Sequence, residues 1–174
     1  MTMFYRKKFF FVTITVFGLF YFLAIKIADK FEQKHNGNLV VGNRLPNFIC
    51  TAFYAKLNEP SVVIAFQPDC EHCQYEAKNI KDKSAELRGV NIAFLTSASD
   101  SLAKKFADDY GLNTQLSVRV FGNQKILLDS LGVKTIPTVF IYNKDKQLVK
   151  RFDGETKIEA ILKYISPEYS SVVK

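Results

Sequence analysis

The chain has 174 residues, 48% hydrophobic and 24% charged, a globular composition that excludes a disordered or fibrous protein. Its formal net charge is +7, but most of that excess lies in residues 1–42, and no Lys/Arg run follows Lys8, which argues against nucleic-acid binding. Three cysteines and no Trp exclude a disulfide-dense mini-scaffold.

From Phe9 to Ile25 runs a stretch without a charged residue, FFFVTITVFGLFYFLAI, flanked by Arg6-Lys7-Lys8 and by Lys26. At about 1.5 Å per residue it reaches about 25 Å, the short end of a bilayer span, and Ile27 and Ala28 extend it once Lys26 snorkels outward. Ala24 and Ala28 do not form a small-x-small cleavage site, and no Cys precedes Cys50 to mark a lipoprotein, so the segment reads as an uncleaved signal-anchor. The basic cluster ahead of it keeps the N-terminus in the cytoplasm. Everything after residue 28 then faces outward, on the periplasmic side in a Gram-negative cell. Residues 1–28 are thus expected to be a cytoplasmic tip and anchor, 29–42 a linker with Gly37, Asn38 and Gly42 among mixed charges, 43–166 a single domain and 167–174 a tail.

Beyond the linker, short β-branched runs alternate with longer amphipathic ones, which predicts an α/β domain. Phe48 to Phe53 reads as a first strand, and Ser61 to Gln67 as a buried central one. Cys73, Ala77, Ile80, Ser84 and Leu87 recur at helical spacing. Val90 to Thr96 reads as a strand, Leu102 to Tyr110 as a helix closed by Gly111, Leu116 to Phe121 as a strand and Gln124 to Leu131 as a short helix ending at Gly132. Thr138 to Tyr142 and Gln147 to Phe152 flank the polar turn Asn143 to Lys146 and predict a hairpin. Thr156 and Glu159 are spaced as a capping box for a closing helix over Lys157 to Ile165.

Chemistry concentrates at FQPDCEHCQYE, where Cys70 and Cys73 stand after an apolar strand and at the mouth of a helix. Two thiols at that spacing can close a small disulfide, and the unpaired N–H groups of a helix N-terminus favour a thiolate on the first. That thiolate attacks a partner's disulfide and the second thiol resolves the mixed disulfide. Cys70 is the expected nucleophile and Cys73 the resolving thiol. Half a zinc site with His72 or His35 lacks a second ligand pair, since Cys50 alone does not supply one, so no metal is expected. A purely structural Cys70–Cys73 bridge is weak because so short a loop removes little chain entropy. His72, if protonated, stabilises the Cys70 thiolate and makes the couple more oxidising, while Glu71 opposes it. Cys50, on a predicted strand, reads as a small buried hydrophobe.

The arrangement resembles the thioredoxin superfamily, specifically the membrane-anchored thiol-disulfide oxidoreductases of the TlpA/ResA type, related to the AhpC/TSA redoxin group. The match runs from about Leu45 to Ile165. It includes Leu45-Pro46-Asn47-Phe48, the strand plus Cys-x-x-Cys, and Thr135-Ile136-Pro137-Thr138. The resemblance implies a thioredoxin-like fold, a central mixed β-sheet flanked by helices. It also implies a cis Pro137 packed against the dithiol, with Ile136 presenting its backbone to a substrate strand, and it makes Glu76 a proton shuttle for the resolving thiol. On the residues alone, Glu76 reads equally well as a solvated helix glutamate. Three positions depart from the pattern. Asp69 replaces the usual Trp before the first cysteine, Ile64 stands where plain thioredoxin has a buried Asp, and Gln67 stands where peroxiredoxins have Thr or Ser, which disfavours direct peroxide reduction.

The expected function is an extracytoplasmic protein disulfide oxidoreductase without a cofactor, anchored by residues 9–28, reducing cysteine-containing protein substrates with electrons from a membrane thiol donor. An oxidase or isomerase of protein disulfides is the alternative within the class. A non-catalytic anchored redox-sensing or binding module is the alternative outside it.

Overall fold

A computed structural model describes residues 44–52, 58–115 and 117–165. The expected anchor, linker and tail lie outside the described residues. Among the described residues no helix is long and apolar enough to cross a membrane.

The elements follow in the order α1 (Asn47–Ala52), β1 (Ser61–Ala65), α2 (Glu71–Asp82), β2 (Asn91–Leu95), α3 (Asp100–Asp109), a 3-10 turn (Leu112–Thr114), β3 (Val118–Phe121), α4 (Lys125–Ser130), β4 (Thr138–Tyr142), β5 (Leu148–Asp153) and α5 (Ile158–Ile165). The strands form one mixed sheet in the order β3-β2-β1-β4-β5. β1 runs parallel to β2, and β2 to β3, while β4 is antiparallel to both β1 and β5. β1 lies at the centre, and its register sets Val63 opposite Ala93 on one side and Phe140 on the other.

Both faces of the sheet are covered, which is why β1, β2 and β4 read as unbroken apolar runs rather than alternating ones. On one face Val62, Ile64, Phe66, Ile92, Phe94 and Val139 pack with Cys73, Ala77 and Ile80 of α2, Phe106 of α3 and Ile161 of α5. The Phe66 ring stacks at a tilt on Phe106 at 4.4 Å and meets Phe94 edge-on at 5.6 Å. The other face collects Val63, Ala65, Phe140 and Tyr142 with Leu45 and Ile49 of the first segment and Leu128 of α4.

Three expectations need correction. The segment expected as a first strand, Phe48 to Phe53, is helical over Asn47–Ala52. The Pro46 carbonyl accepts from the Ile49 and Cys50 amides, and Leu45 and Ile49, one helical turn apart, enter the core together. Among the described residues of this segment, extended pairing is the bridge between Arg44 and Gln147. The second helix stops at Asp82 instead of running on to Leu87. Turns follow, with Glu86 donating to the Lys83 carbonyl, up to Gly89 at φ +77°. The capping box at α5 does not form. The Thr156 hydroxyl donates to the Gly154 carbonyl, its N–H donates to Glu76, and Glu159 accepts from Lys83. The expected hairpin is present, with Asn143 N–H donating to the Gln147 carbonyl and Lys146 at φ +62° in its turn.

Candidate active site

β1 delivers Cys70 to the end of the sheet, and the turn Gln67-Pro68-Asp69 converts strand to helix. Cys70 is the N-cap of α2 at φ −85° and ψ 115°, and its Sγ accepts from the Cys73 N–H at 3.4 Å. The sulfur therefore occupies the place of a capping oxygen, where backbone donors and the positive helix end stabilise negative charge. Gln67 braces the turn from below: its carbonyl accepts from Cys70 N–H, and its side chain bonds Thr96 and Ser97 at the end of β2. Gln74 donates to the Pro68 carbonyl and closes the turn from the helix side.

The two thiols, both free, sit in unequal surroundings. Cys70 is half-buried and Cys73 is fully enclosed. Burial pushes the Cys73 thiol up to about 12, helped by its contact with Cys70 and by the nearby Glu76. Asp69, exposed, borders a cleft of about 260 Å³ with Leu102, Phe106 and Tyr110 on its far wall.

Glu76 is enclosed, not solvated. Its Oε2 accepts from the Thr156 N–H at 3.0 Å, and its buried Oε1 has no hydrogen-bond partner. Desolvation raises its carboxyl to about 7 against the opposing Thr156 bond, and the charge of Glu155 adds to the rise. A buried acid with one oxygen unengaged, one turn beyond Cys73 on its own helix, can take or return a proton.

His72 is exposed, and its Nδ1 meets Glu155 Oε2 at 2.8 Å. The Ile136–Pro137 peptide bond is cis, Pro137 is buried and Ile136 is 36% exposed. This segment is tied down on both sides. Gly154 N–H donates to the Pro137 carbonyl at 2.7 Å and the Thr138 hydroxyl bonds the Thr135 carbonyl. Arg151 donates to the Gly132 carbonyl and pairs with Asp153, which also accepts from Thr138. Cys50, expected on a strand, is a half-buried residue of α1, with its thiol directed at the Leu45 carbonyl.

Sequence reasoning missed Gln67 as a brace and Glu155 as a partner of His72, and it assigned Thr156 to a helix cap instead of to Glu76. No local signal marks the contacts of Glu155 and Thr156, because each meets a residue about 80 positions earlier in the chain.

Residues 52–166 match the family described as a thioredoxin-like domain. The chain belongs to the thioredoxin-like family. It is 29% identical over 157 residues to thiol-disulfide oxidoreductase ResA of Bacillus thuringiensis (strain Al Hakam) and, equally, of Bacillus anthracis. The alignment covers 80% of this chain and 83% of each relative. Its fold resembles that of a secreted Mycobacterium tuberculosis disulfide oxidoreductase homologous to Escherichia coli DsbE, at TM-score 0.52 and 16% identity. That superposition covers 64% of this chain and 86% of the other. The chain thus combines a thioredoxin-like domain with a similarity, over most of its length, to thiol-disulfide oxidoreductases named ResA.

Proposed function

We propose that this thioredoxin-like protein reduces disulfides in protein substrates outside the cytoplasm, held to the membrane by residues 9–28 and re-reduced by a membrane thiol donor. The observation that carries this reading is the asymmetry of the dithiol: a half-buried Cys70 capping a helix N-terminus and an enclosed Cys73 whose thiol resists ionisation.

In the cycle, the Cys70 thiolate attacks one sulfur of the substrate disulfide, a mixed disulfide forms and the other substrate sulfur leaves as a thiolate. Cys73 then loses its proton to the Glu76 carboxylate and attacks Cys70 Sγ. The Cys70–Cys73 bond forms, the second substrate thiolate departs, and two electrons have passed to the substrate. Ile136, exposed ahead of the buried Pro137, offers its backbone N–H and C=O to the substrate strand that brings its sulfur to Cys70.

The reducing direction is supported by two features. A resolving thiol held at about 12 leaves the reduced pair without thiolate stabilisation at Cys73, so the reduced form gives up electrons more readily. The pairing of His72 with Glu155 compensates the imidazolium charge that would otherwise favour the reduced form and an oxidising couple.

The test is the reduction potential of the Cys70/Cys73 couple, together with trapping of mixed disulfides by Cys73→Ser. A potential near or below about −250 mV and a trapped substrate on Cys70 are expected. A value near about −120 to −180 mV reverses the direction to an oxidase or isomerase, and a Cys70 that traps nothing leaves a non-catalytic redox-sensing or binding module.

A further inference from the structure

The loop between β5 and α5 grips the active-site helix twice within two residues. Glu155 Oε2 meets His72 Nδ1 at 2.8 Å, and the next residue's amide, Thr156 N–H, donates to Glu76 Oε2 at 3.0 Å. One grip is on the outer surface, where the side chains of His72 and Glu155 are 70% and 40% exposed, and the other is in the interior, where Glu76 has no exposure. The loop therefore joins His72, inside the Cys-x-x-Cys turn, to the acid beneath it.

We propose that Glu155 is a positioning residue of the dithiol site, coupling the charge on His72 to the proton held by Glu76, so that the exposed imidazole controls the buried acid. The inference rests on the reading of Glu76 as the group that takes the Cys73 proton.

The sign follows from the arrangement. With His72 neutral, the Glu155 carboxylate acts on Glu76 uncompensated and keeps its proton in place, in line with the direction in which Glu155 moves that carboxyl. With His72 protonated, the pair is compensated, and Glu76 ionises more readily and becomes the better acceptor for the Cys73 proton. In the resolving step that proton passes from Cys73 Sγ to the unengaged Glu76 Oε1, as the Cys70–Cys73 bond forms and the substrate thiolate leaves.

The other charged groups around these three are accounted for. On α2, Cys73 faces Glu76 and Glu71 adjoins His72 in sequence. On β5, Asp153 is engaged by Arg151. On α5, Glu159 is engaged by Lys83, and Lys157 just ahead of the helix is exposed. Lys134, three residues before Pro137, is exposed.

The experiment is a titration of the Glu76 side-chain carboxyl by 13C NMR in the full-length reduced protein labelled with [13C]glutamate, the signal being assigned by its loss in Glu76→Gln. Glu155→Gln removes the like charge and is expected to weaken proton binding at Glu76 by about three- to tenfold, since Glu155 is partly screened by solvent. His72→Ala is expected to strengthen it. Glu155→Asp keeps the charge but withdraws it from the imidazole, and it is expected to move the midpoint opposite to Glu155→Gln. In the double variant His72→Ala/Glu155→Gln, the effect of removing His72 should vanish.

A purely structural role for the loop would move Glu155→Gln and Glu155→Asp in the same direction, and that result overturns the proposal. So does an effect of His72→Ala that survives intact in the Glu155→Gln background. None of these readouts requires turnover. Mixed-disulfide trapping by Cys73→Ser that proceeds normally while the Glu76 midpoint stays fixed would defeat this inference and leave the proposed function standing.

Discussion

Replacing Glu76 with glutamine should shift the stability balance toward the variant as pH rises from acid to alkaline, leaving the variant the less stable protein in acid. The carboxyl is enclosed between α2 and the β5–α5 loop, with one oxygen held by Thr156 N–H and the other unengaged. Its proton affinity rises from the ordinary 4.5 to about 7, chiefly because burial disfavours the anion. The folded protein therefore holds the Glu76 proton over a range where the unfolded chain has lost it, and stability falls as pH rises through that range. The contribution is complete below about 4.5, is lost between 4.5 and 7, and stays lost above 7. At about 1.4 kcal/mol per pH unit the loss amounts to about 3 kcal/mol. Glutamine keeps an oxygen for the Thr156 N–H and cannot ionise. Its amide nitrogen, placed where Oε1 has no partner, adds a penalty of about 1–3 kcal/mol that does not vary with pH. Urea unfolding of the reduced wild type and of Glu76→Gln, followed by far-ultraviolet circular dichroism from pH 4 to 9, isolates the effect, because titrating groups that do not interact with Glu76 cancel in the difference. The stability difference should swing toward the variant by about 3 kcal/mol across that range. A flat difference would refute the placement of Glu76 as a buried acid and, with it, the proton route from Cys73.

Two further outcomes follow from the same structure. With the pair reduced at pH 8, alkylation with iodoacetamide should label Cys70 and spare Cys73, because a thiol held at about 12 is enclosed and presents only about one part in ten thousand as thiolate. Peptide mass mapping checks this, and labelling of both at equal rates would remove the asymmetry. Gly122→Ala should cost about 1–3 kcal/mol in unfolding free energy, because an added Cβ would lie 2.6 Å from the backbone N of Asp100 at the start of α3. An unchanged thermal midpoint would mean that the α3 N-terminus yields freely.

The sequence by itself determined the α/β architecture and the location of the dithiol. Strand β1 and the turn to α2 are written in contiguous residues: an apolar run, then Pro68 and Asp69, then a cysteine placed to cap a helix, each acting over a few positions. The Cys70 and Cys73 spacing is of the same local kind, since residues three apart on a first turn must meet. Local grammar erred at Asn47–Ala52, where an apolar run compatible with a strand became a helix because Leu45 and Ile49 needed one side from which to reach the same sheet face. It was silent on whether Glu76 is solvated or enclosed, because its exposure depends on α5 and the preceding loop folding over α2. It placed Glu159 in a capping box, whereas the tertiary structure gave the Thr156 amide to Glu76 and Glu159 to Lys83. The contacts that tune the site, His72 with Glu155 and Glu76 with Thr156, join residues 83 and 80 positions apart. Periodicity and spacing carry no information at that range. Only closing the sheet, which sets β5 and its loop beside the active-site helix, brings those charges together.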